Sequence, residues 1–312
     1  MHMRRLTGPL TAGLLAMAVL TACGDDGDSG GNSESSDVRS VEHTMGTTEV
    51  PTDPQRVVTL DSPHLDTALA LGITPVGSTQ SDVAEGLPDY LGDRTEGIET
   101  VGTIEEPDLE AIAALEPDLI LSSQVRHEAL YDQLSGIAPT VFTEYEEGWE
   151  AIVGTTADAL NRADDGRALL AEYQARAGEV GEQVGAAGMR ASIVRFLPEE
   201  TRIYGPGTFS GSILTDIGFQ LPDLEYDEYS MAYPSAEQIS MADADVIFAT
   251  TYGAPEETTR GSVSALWGTL TAIQRGCQFD VDDSEWMLGI GPIGADIVLG
   301  EVEAALAGGA CR

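Results

Sequence analysis

Apolar and polar positions along the chain predict strands and helices in alternation. From residue 57 the sequence reads as a short buried strand (57–60), a loop with an N-cap candidate, and an amphipathic helix (65–71) that Gly72 closes. Helical spacing over 109–115 then precedes the apolar run 119–121, which is typical of a parallel strand. The pattern therefore predicts a β-α-β-α order.

An internal repeat indicates that this order occurs twice. Segments 109–112 and 118–120 recur at an offset of 127 as 236–239 and 245–247. Residues 65–73 likewise resemble residues 211–219. The repeat predicts two α/β lobes of Rossmann-like type rather than one large sheet. The alternative is that any two β-α-β units share this much pattern.

The segment between the two halves has a different pattern. Residues 149–188 show no strand-like alternation and are rich in Ala, Glu, Gln and Leu. A break at 161–165 divides them into two helices, and the second, 164–184, carries one apolar stripe and reaches about 30 Å. We therefore predict an N-terminal lobe over 41–148, a helical linker over 149–188 that joins the lobes, and a C-terminal lobe over 189–312.

The amino terminus has the pattern of an export signal. Arg4 and Arg5 precede a mostly apolar run, 6–20, and the segment ends in Leu20-Thr21-Ala22-Cys23. That ending resembles a bacterial lipobox, which implies cleavage after residue 22, diacylation of Cys23 and a lipid-anchored protein on the extracytoplasmic face of the cell membrane. The alternative is an ordinary secretory signal cut at a small residue. Residues 23–40 are rich in Gly, Ser and Asp and predict a flexible tether.

Composition narrows the possible functions. The 312 residues include 53 Asp and Glu against 15 Arg and no Lys, for a formal charge of −38. Such an excess of negative charge repels polyphosphate, so a general nucleic-acid binder is excluded. A hydrophobic fraction of 42% is ordinary for a folded protein, so disorder throughout is excluded as well.

Three motifs that suggest catalytic or metal chemistry fail on closer reading. Residues 289–294 match the dinucleotide pattern G-x-G-x-x-G, but the 18 residues that follow leave no room for a second strand, so a close turn with Pro292 at the first helical position is preferred. The segment 207–211 lacks the first Gly of a nucleophile elbow. His64 and His127 could face one cleft, but two imidazoles are few for a transition-metal site. We therefore predict that the protein is not an enzyme and holds no cofactor and no resident metal. An unrecognised catalytic triad and a direct metal site are the minor alternatives.

The remaining cysteines, Cys277 and Cys311, form an even pair outside the cytoplasm if Cys23 directs export. An oxidising compartment favours a disulfide between them, which would close a loop of about 34 residues and stabilise the fold by roughly 3 to 4 kcal/mol. Two buried free thiols are the alternative.

Arginine and aromatic side chains concentrate in predicted loops of the second half. Arg195 leaves the strand 192–194, Arg202 and Tyr204 follow a turn, and Phe209, Tyr252 and Trp286 come after them. Rings and guanidinium groups together suit a bulky ligand that has apolar arms and partial negative charge. The alternative is that the rings only cover loop rims.

A series of segments resembles, in order, the iron-siderophore and cobalamin binding proteins of ABC importers. In the first half these segments are 56–60, 71–77, 109–120 and 137–141, and in the second half they are 202–212, 242–247 and 266–292. The resemblance implies two lobes joined by a long helix, with a ferric siderophore in the cleft between them and delivery to an ABC permease by a monomer. The expected ligand contacts are Arg126, Arg195, Arg202, Tyr204, Phe209, Tyr252, His64 and Trp286. Since only these three arginines are well placed for the cleft of a strongly negative chain, a neutral or cationic hydroxamate complex is favoured. Other ferric chelates, cobalamin, haem, or a lipid-anchored scaffold without a small ligand are the alternatives.

The family's mode of docking gives Glu110 and Glu237 an expected role. They occupy matching positions of the internal repeat, each in the first turn of a predicted helix, so they could engage two equivalent permease subunits. The alternative is simple stabilisation of the helix N-terminus, because acids are favoured there by roughly 0.3 to 1 kcal/mol and Ser235 with Gln238 forms a capping box.

Overall fold

The first lobe is built on a parallel sheet. The computed structural model describes residues 37–81, 86–309 and 311, without the side chain of Ser264. Five parallel strands stand in the order β5-β4-β3-β6-β7, and the two central strands are buried, as in a sheet that is covered on both faces. The elements are β3 (Val57–Thr59), α1 (Ser62–Ala70), β4 (Gly77–Gln80), β5 (Glu99–Thr103), α2 (Leu109–Ala114), β6 (Leu119–Ser123), α3 (Gln124–His127), α4 (Tyr131–Ser135) and β7 (Thr140–Thr143).

A hairpin precedes this sheet and corrects the predicted tether. Strands β1 (Val38–His43) and β2 (Gly46–Pro51) pair in antiparallel fashion, and the side chains of Val41 and Val50 are buried in the core of the first lobe. The prediction of a tether as far as residue 40 is therefore wrong at its end, because long-range packing of Val41 and Val50 orders a stretch whose local composition is polar. Residues 1–36, which include the predicted signal and Cys23, lie outside the described residues.

The second lobe has a mixed sheet. Its order is β10-β9-β8-β11-β12, in which β8, β11 and β12 are parallel, while β9 is antiparallel to both β8 and β10. A tight turn closes the β8–β9 hairpin, where the Leu197 N–H donates to the Glu200 carbonyl at 2.9 Å. The elements are β8 (Ala191–Phe196), β9 (Thr201–Tyr204), α7 (Phe209–Ile217), β10 (Met231–Ala232), a 3₁₀ helix (Ala236–Ala242), β11 (Val246–Thr251), α8 (Arg260–Trp267), α9 (Thr271–Arg275), β12 (Gln278–Asp280) and α10 (Pro292–Ala305).

The internal repeat corresponds to matching backbone connections in the two sheets. In the first lobe the Asp118 carboxylate accepts hydrogen bonds from the N–H groups of Gln55 and Arg56 at 2.7 and 2.9 Å. In the second lobe Asp245 accepts from the Arg190 N–H at 2.9 Å. Each aspartate precedes a central strand and fixes the start of the neighbouring one, which confirms the prediction of two similar α/β lobes. The inserted strand β9 is the main difference between them.

Two helices form the linker. Helix α5 (Trp149–Ala159) ends in the core of the first lobe with Ala159, whereas α6 (Ala163–Val184) buries Tyr173, Ala177 and Val180 in the core of the second. The break predicted from 161 onward begins at Asn161, which has a positive φ of 55° and donates its side-chain amide to the Thr52 carbonyl at 2.8 Å. Trp149 and Val153 at the start of α5 are also buried in the core of the second lobe, so α5 joins the two cores. No helix among the described residues is long and apolar enough to cross a bilayer.

The glycine-rich segment before α10 is a close contact between the lobes. A Cβ on Gly291 would lie 2.4 Å from an Asp66 carboxylate oxygen, and one on Gly294 would lie 1.6 Å from the Gly289 carbonyl oxygen. Asp66, from α1 of the first lobe, accepts hydrogen bonds from the N–H groups of Ile293 at 2.9 Å and Gly294 at 3.1 Å. The motif thus forms a tight turn, with Pro292 in the first helical turn, and the turn lets a carboxylate of one lobe cap a helix of the other.

A disulfide fixes the end of the chain. Cys277 and Cys311 are bonded, with their Cα atoms 5.7 Å apart. The Arg275 guanidinium also donates to the Cys311 carbonyl oxygen at 3.0 Å. The residues after α10 are therefore held against the segment that enters β12.

Candidate ligand-binding site

A cavity of about 570 Å³ lies between the lobes and is lined by residues of both. From the first lobe come Arg126, just after β6, and Tyr145, just after β7. Tyr204 at the end of β9 and Phe209 at the start of α7 come from the second lobe. The cavity therefore lies where strands and their loops from both lobes converge, the usual place for a ligand in open α/β folds.

Most of the predicted contact residues meet at this cavity. Arg126, Arg195, Arg202, Tyr204 and Phe209 all line it, although they are spread over 84 positions of the sequence. The concentration of guanidinium and ring groups expected from the sequence is therefore present in space.

Arg195 is held rigidly at the wall of the cavity. Its Nε and Nη2 donate to the two carboxylate oxygens of Asp283 at 2.8 and 2.5 Å, and Thr250 donates to the same carboxylate at 3.1 Å. Its Nη1 donates to the Tyr204 hydroxyl at 3.3 Å. Burial alone would lower the pKa of Arg195, but Tyr204 and Asp283 raise it above its ordinary value, so the group stays charged.

The other two arginines of the cavity also face carboxylates. Arg202 donates from Nε to Glu200 at 2.6 Å, and Arg126 lies 3.7 Å from Glu105. A fixed cation next to a fixed anion offers hydrogen-bond donors with little net charge. An anionic ligand would have to compete with these carboxylates.

The wall from the first lobe depends on Tyr145. Its hydroxyl donates to Asp61 Oδ2 at 3.2 Å, and the same oxygen accepts from the Ser123 hydroxyl at 2.6 Å. A side-chain hydrogen bond also joins Tyr145 to Arg126. Burial, and then the charge of Asp61, raise the pKa of Tyr145 well above its usual range, so the phenol stays protonated.

Trp286 lines the cavity, although no part of its side chain is exposed to solvent. It is fully buried, stacks on Phe248 with ring centres 4.8 Å apart, and donates its indole N–H to Glu301 at 2.5 Å. The irregular turn Ser284–Leu288 directs the indole into the core, and Met287 and Leu288 line the cavity beside it. The role of Trp286 as a ligand contact stays a prediction.

The two histidines are also internal. His64 is fully buried in α1, with Nε2 3.0 Å from the Thr143 hydroxyl, and burial lowers its pKa to about 4, so it is neutral. His127 is bound to the Ser122 hydroxyl at 2.6 Å and the Ile104 carbonyl at 2.7 Å. His64 is therefore not a ligand contact, because the first turn of α1 points its ring into the lobe. Among the described residues no group of three or more His, Cys, Asp or Glu is arranged to hold a metal.

Tyr252 lies at a second cavity of the cleft, of about 640 Å³. The Arg195 guanidinium lies over the Tyr252 ring, 4.8 Å from the ring centre. Asp283 lines this second cavity. The Arg195–Asp283 pair thus stands between the two spaces. Most charged residues that line the second cavity are acidic. They are Asp89, Glu257, Asp280, Asp282 and Asp283, and the one basic residue is Arg260. We assign the site to the smaller cavity, which gathers the arginines and rings.

Several lining residues were not anticipated. Tyr145, Glu146, Met231, Met287 and Leu288 all contribute to the wall. Tyr145 follows the end of a buried strand just as Arg126 does, so its position in the strand order could have indicated it. The methionines and Leu288 carry no chemical signal that distinguishes a cavity wall from a core.

Two α/β lobes with a cavity in the cleft between them form the architecture of solute-binding proteins. The model of the periplasmic binding protein family matches residues 57–277, and the chain belongs to that family. It is 38% identical over 308 residues to the probable siderophore-binding lipoprotein YfiY of Bacillus subtilis (93% of this chain, 94% of the relative). It is 33% identical to the achromobactin-binding periplasmic protein of Dickeya dadantii (80% and 85%). The crystal structure of Staphylococcus aureus SirA complexed with staphyloferrin B superposes with a TM-score of 0.78 at 31% identity (86% of this chain, 98% of that chain).

Proposed function

We propose that the protein binds a ferric siderophore in the cavity between its lobes and delivers it to an ABC permease. The observation that carries the proposal is the set of Arg126, Arg195, Arg202, Tyr204 and Tyr145 around one space that both lobes close. The relatives support it, because the relative that is 38% identical over 308 residues is a probable siderophore-binding lipoprotein and a similar crystal structure is complexed with staphyloferrin B. Binding needs no chemical step, and the side chains serve as donors and apolar surface.

The charge of the cavity favours a hydroxamate complex. The three arginines face five carboxylates, three as ion-pair partners (Glu105, Glu200, Asp283) and two more on the wall (Glu146, Glu228). A neutral or cationic ferric trihydroxamate meets no excess of like charge there, whereas a multiply charged ferric citrate must displace bound carboxylates.

A titration panel tests the function. Quenching of tryptophan fluorescence, checked by calorimetry, would be measured with ferrioxamine B, ferric citrate, a ferric catecholate, haem and cobalamin. The proposal expects tight binding of ferrioxamine B and weaker binding of ferric citrate. Tight binding of haem or cobalamin alone would overturn the siderophore assignment, and tight binding of ferric citrate in preference would overturn the hydroxamate class. No binding of any compound would favour a scaffold.

Membrane attachment is proposed through Cys23, which lies outside the described residues. The support is the lipobox-like sequence together with the word lipoprotein in the name of a 38% identical relative. Cys23→Ala should release the protein from the membrane fraction, whereas retention there would contradict a lipid anchor.

Permease docking is proposed for Glu110 and Glu237. Both side chains are exposed, Glu110 in the first turn of α2 and Glu237 in the first turn of the 3₁₀ helix Ala236–Ala242. Combining Glu110→Ala with Glu237→Ala should leave ligand affinity unchanged and abolish uptake in cells. Substituting Glu179 and Glu182, two exposed glutamates of α6, is the matched control. Normal uptake in the Glu110/Glu237 variant would leave these residues only their role at helix ends.

A further inference from the structure

Asp61 lies behind the cavity wall of the first lobe and is almost fully buried. It follows β3, and one of its carboxylate oxygens accepts the Ser62 N–H at 2.9 Å at the start of α1. The other oxygen accepts from Ser123 and from Tyr145. These contacts include no metal and no arginine. The Asp61 carboxylate is therefore stabilised by three hydrogen-bond donors, and one of them, the Tyr145 hydroxyl, belongs to a residue that lines the cavity.

The second lobe has an equivalent arrangement. There Asp283 accepts two hydrogen bonds from Arg195, and Arg195 donates a third to the Tyr204 hydroxyl. In the first lobe Asp61 accepts a hydrogen bond from the Tyr145 hydroxyl, and Tyr145 is hydrogen-bonded to Arg126. Each wall of the cavity therefore presents an arginine and a tyrosine that an aspartate fixes from behind, almost fully buried in the case of Asp61 and partly buried in the case of Asp283.

We propose that Asp61 is a positioning residue of the binding site, which orients Tyr145 and through it Arg126 toward the ligand. The proposal rests on the proposed function. An unanchored phenol would lose conformational freedom each time a ligand bound, which weakens binding. A phenol that is already fixed avoids that entropic cost. Asp61 would not touch the ligand, so its whole effect on affinity must pass through the Tyr145 hydroxyl.

A double-mutant cycle on the full chain tests this dependence. Affinity for ferrioxamine B, with ferric citrate as second probe, would be measured for the wild type, Asp61→Asn, Tyr145→Phe and the double variant. Each single change should weaken binding about tenfold, the equivalent of one lost hydrogen bond. The double variant should bind within about twofold of Tyr145→Phe, because the hydroxyl that transmits the effect of Asp61 is already gone.

Asp108→Asn is the matched control, since Asp108 caps α2 of the same lobe with two backbone hydrogen bonds and does not line the cavity. Its affinity should equal that of the wild type. Additive losses in the cycle, or full affinity in Tyr145→Phe, would overturn the positioning role. Tyr145→Phe keeps the cap of α1, so it decides the question even if Asp61→Asn folds poorly. If the wild type binds neither probe, the proposed function fails instead.

Discussion

Replacing Asp66 with Asn should change how the stability of the protein depends on pH. Asp66 is fully buried between the lobes and accepts hydrogen bonds from the N–H groups of Ile293 and Gly294 and from the Tyr90 hydroxyl at 3.0 Å. Burial raises its pKa to about 7 from an ordinary value of 3.8, although the three donors and the charge of Arg94 oppose the increase. Asn has nearly the same shape and cannot ionise.

The sign and the size of the effect follow from these two pKa values. Because the folded-state pKa is raised, the free energy of unfolding that depends on Asp66 is fully present below pH 4 and is lost as the pH rises through about 7. A difference of about three pKa units corresponds to at most about 4 kcal/mol. Wild type should therefore lose up to that amount relative to Asp66→Asn between pH 4 and pH 8.

Urea unfolding of both proteins at several pH values, followed by circular dichroism, measures the difference. Asp118→Asn is the control, since Asp118 also accepts two backbone N–H bonds but is partly exposed and lies away from the contact between the lobes. The reasoning is refuted if the difference between wild type and Asp66→Asn is constant from pH 4 to pH 8, or if it changes in the opposite direction.

Three further outcomes are expected. Arg195→Ala should weaken ferrioxamine B binding by about 1 to 3 kcal/mol in calorimetry, because charge-assisted hydrogen bonds are lost, and unchanged affinity would place the ligand elsewhere in the cleft. Trp286→Phe should lower the free energy of unfolding by about 1 to 3 kcal/mol through lost packing and one lost hydrogen bond, and because the indole is fully buried it should keep affinity within twofold; a large loss of affinity would instead indicate direct contact with the ligand. Denatured, unreduced protein that begins at residue 37 should show no maleimide-reactive thiol, and reduction should cost about 4 kcal/mol; two labelled cysteines would contradict the bond between Cys277 and Cys311.

The sequence predicted the lobes well because their signals are local. Buried runs such as 119–121 and a repeated Asp before each of them correspond to β6 and β11 and to the connections made by Asp118 and Asp245. The direction in which a single side chain points is not local. In the irregular turn Ser284–Leu288, tertiary packing decides that Trp286 is fully buried while Leu288 at the same cavity is partly exposed. The same holds for β1, whose order depends on pairing with β2.

The hairpin and the first sheet with its helices span residues 38–143, and all of their strand pairings lie within that range. During synthesis, amino terminus first, this part can form its own core before the rest of the chain has emerged, because its strands pair only with one another. The cap of α10 by Asp66 joins residues 227 positions apart, so it must wait for nearly the whole chain. We therefore expect folding in order along the chain, with the contact between Asp66 and the start of α10 among the last to form and the relative position of the lobes fixed only then.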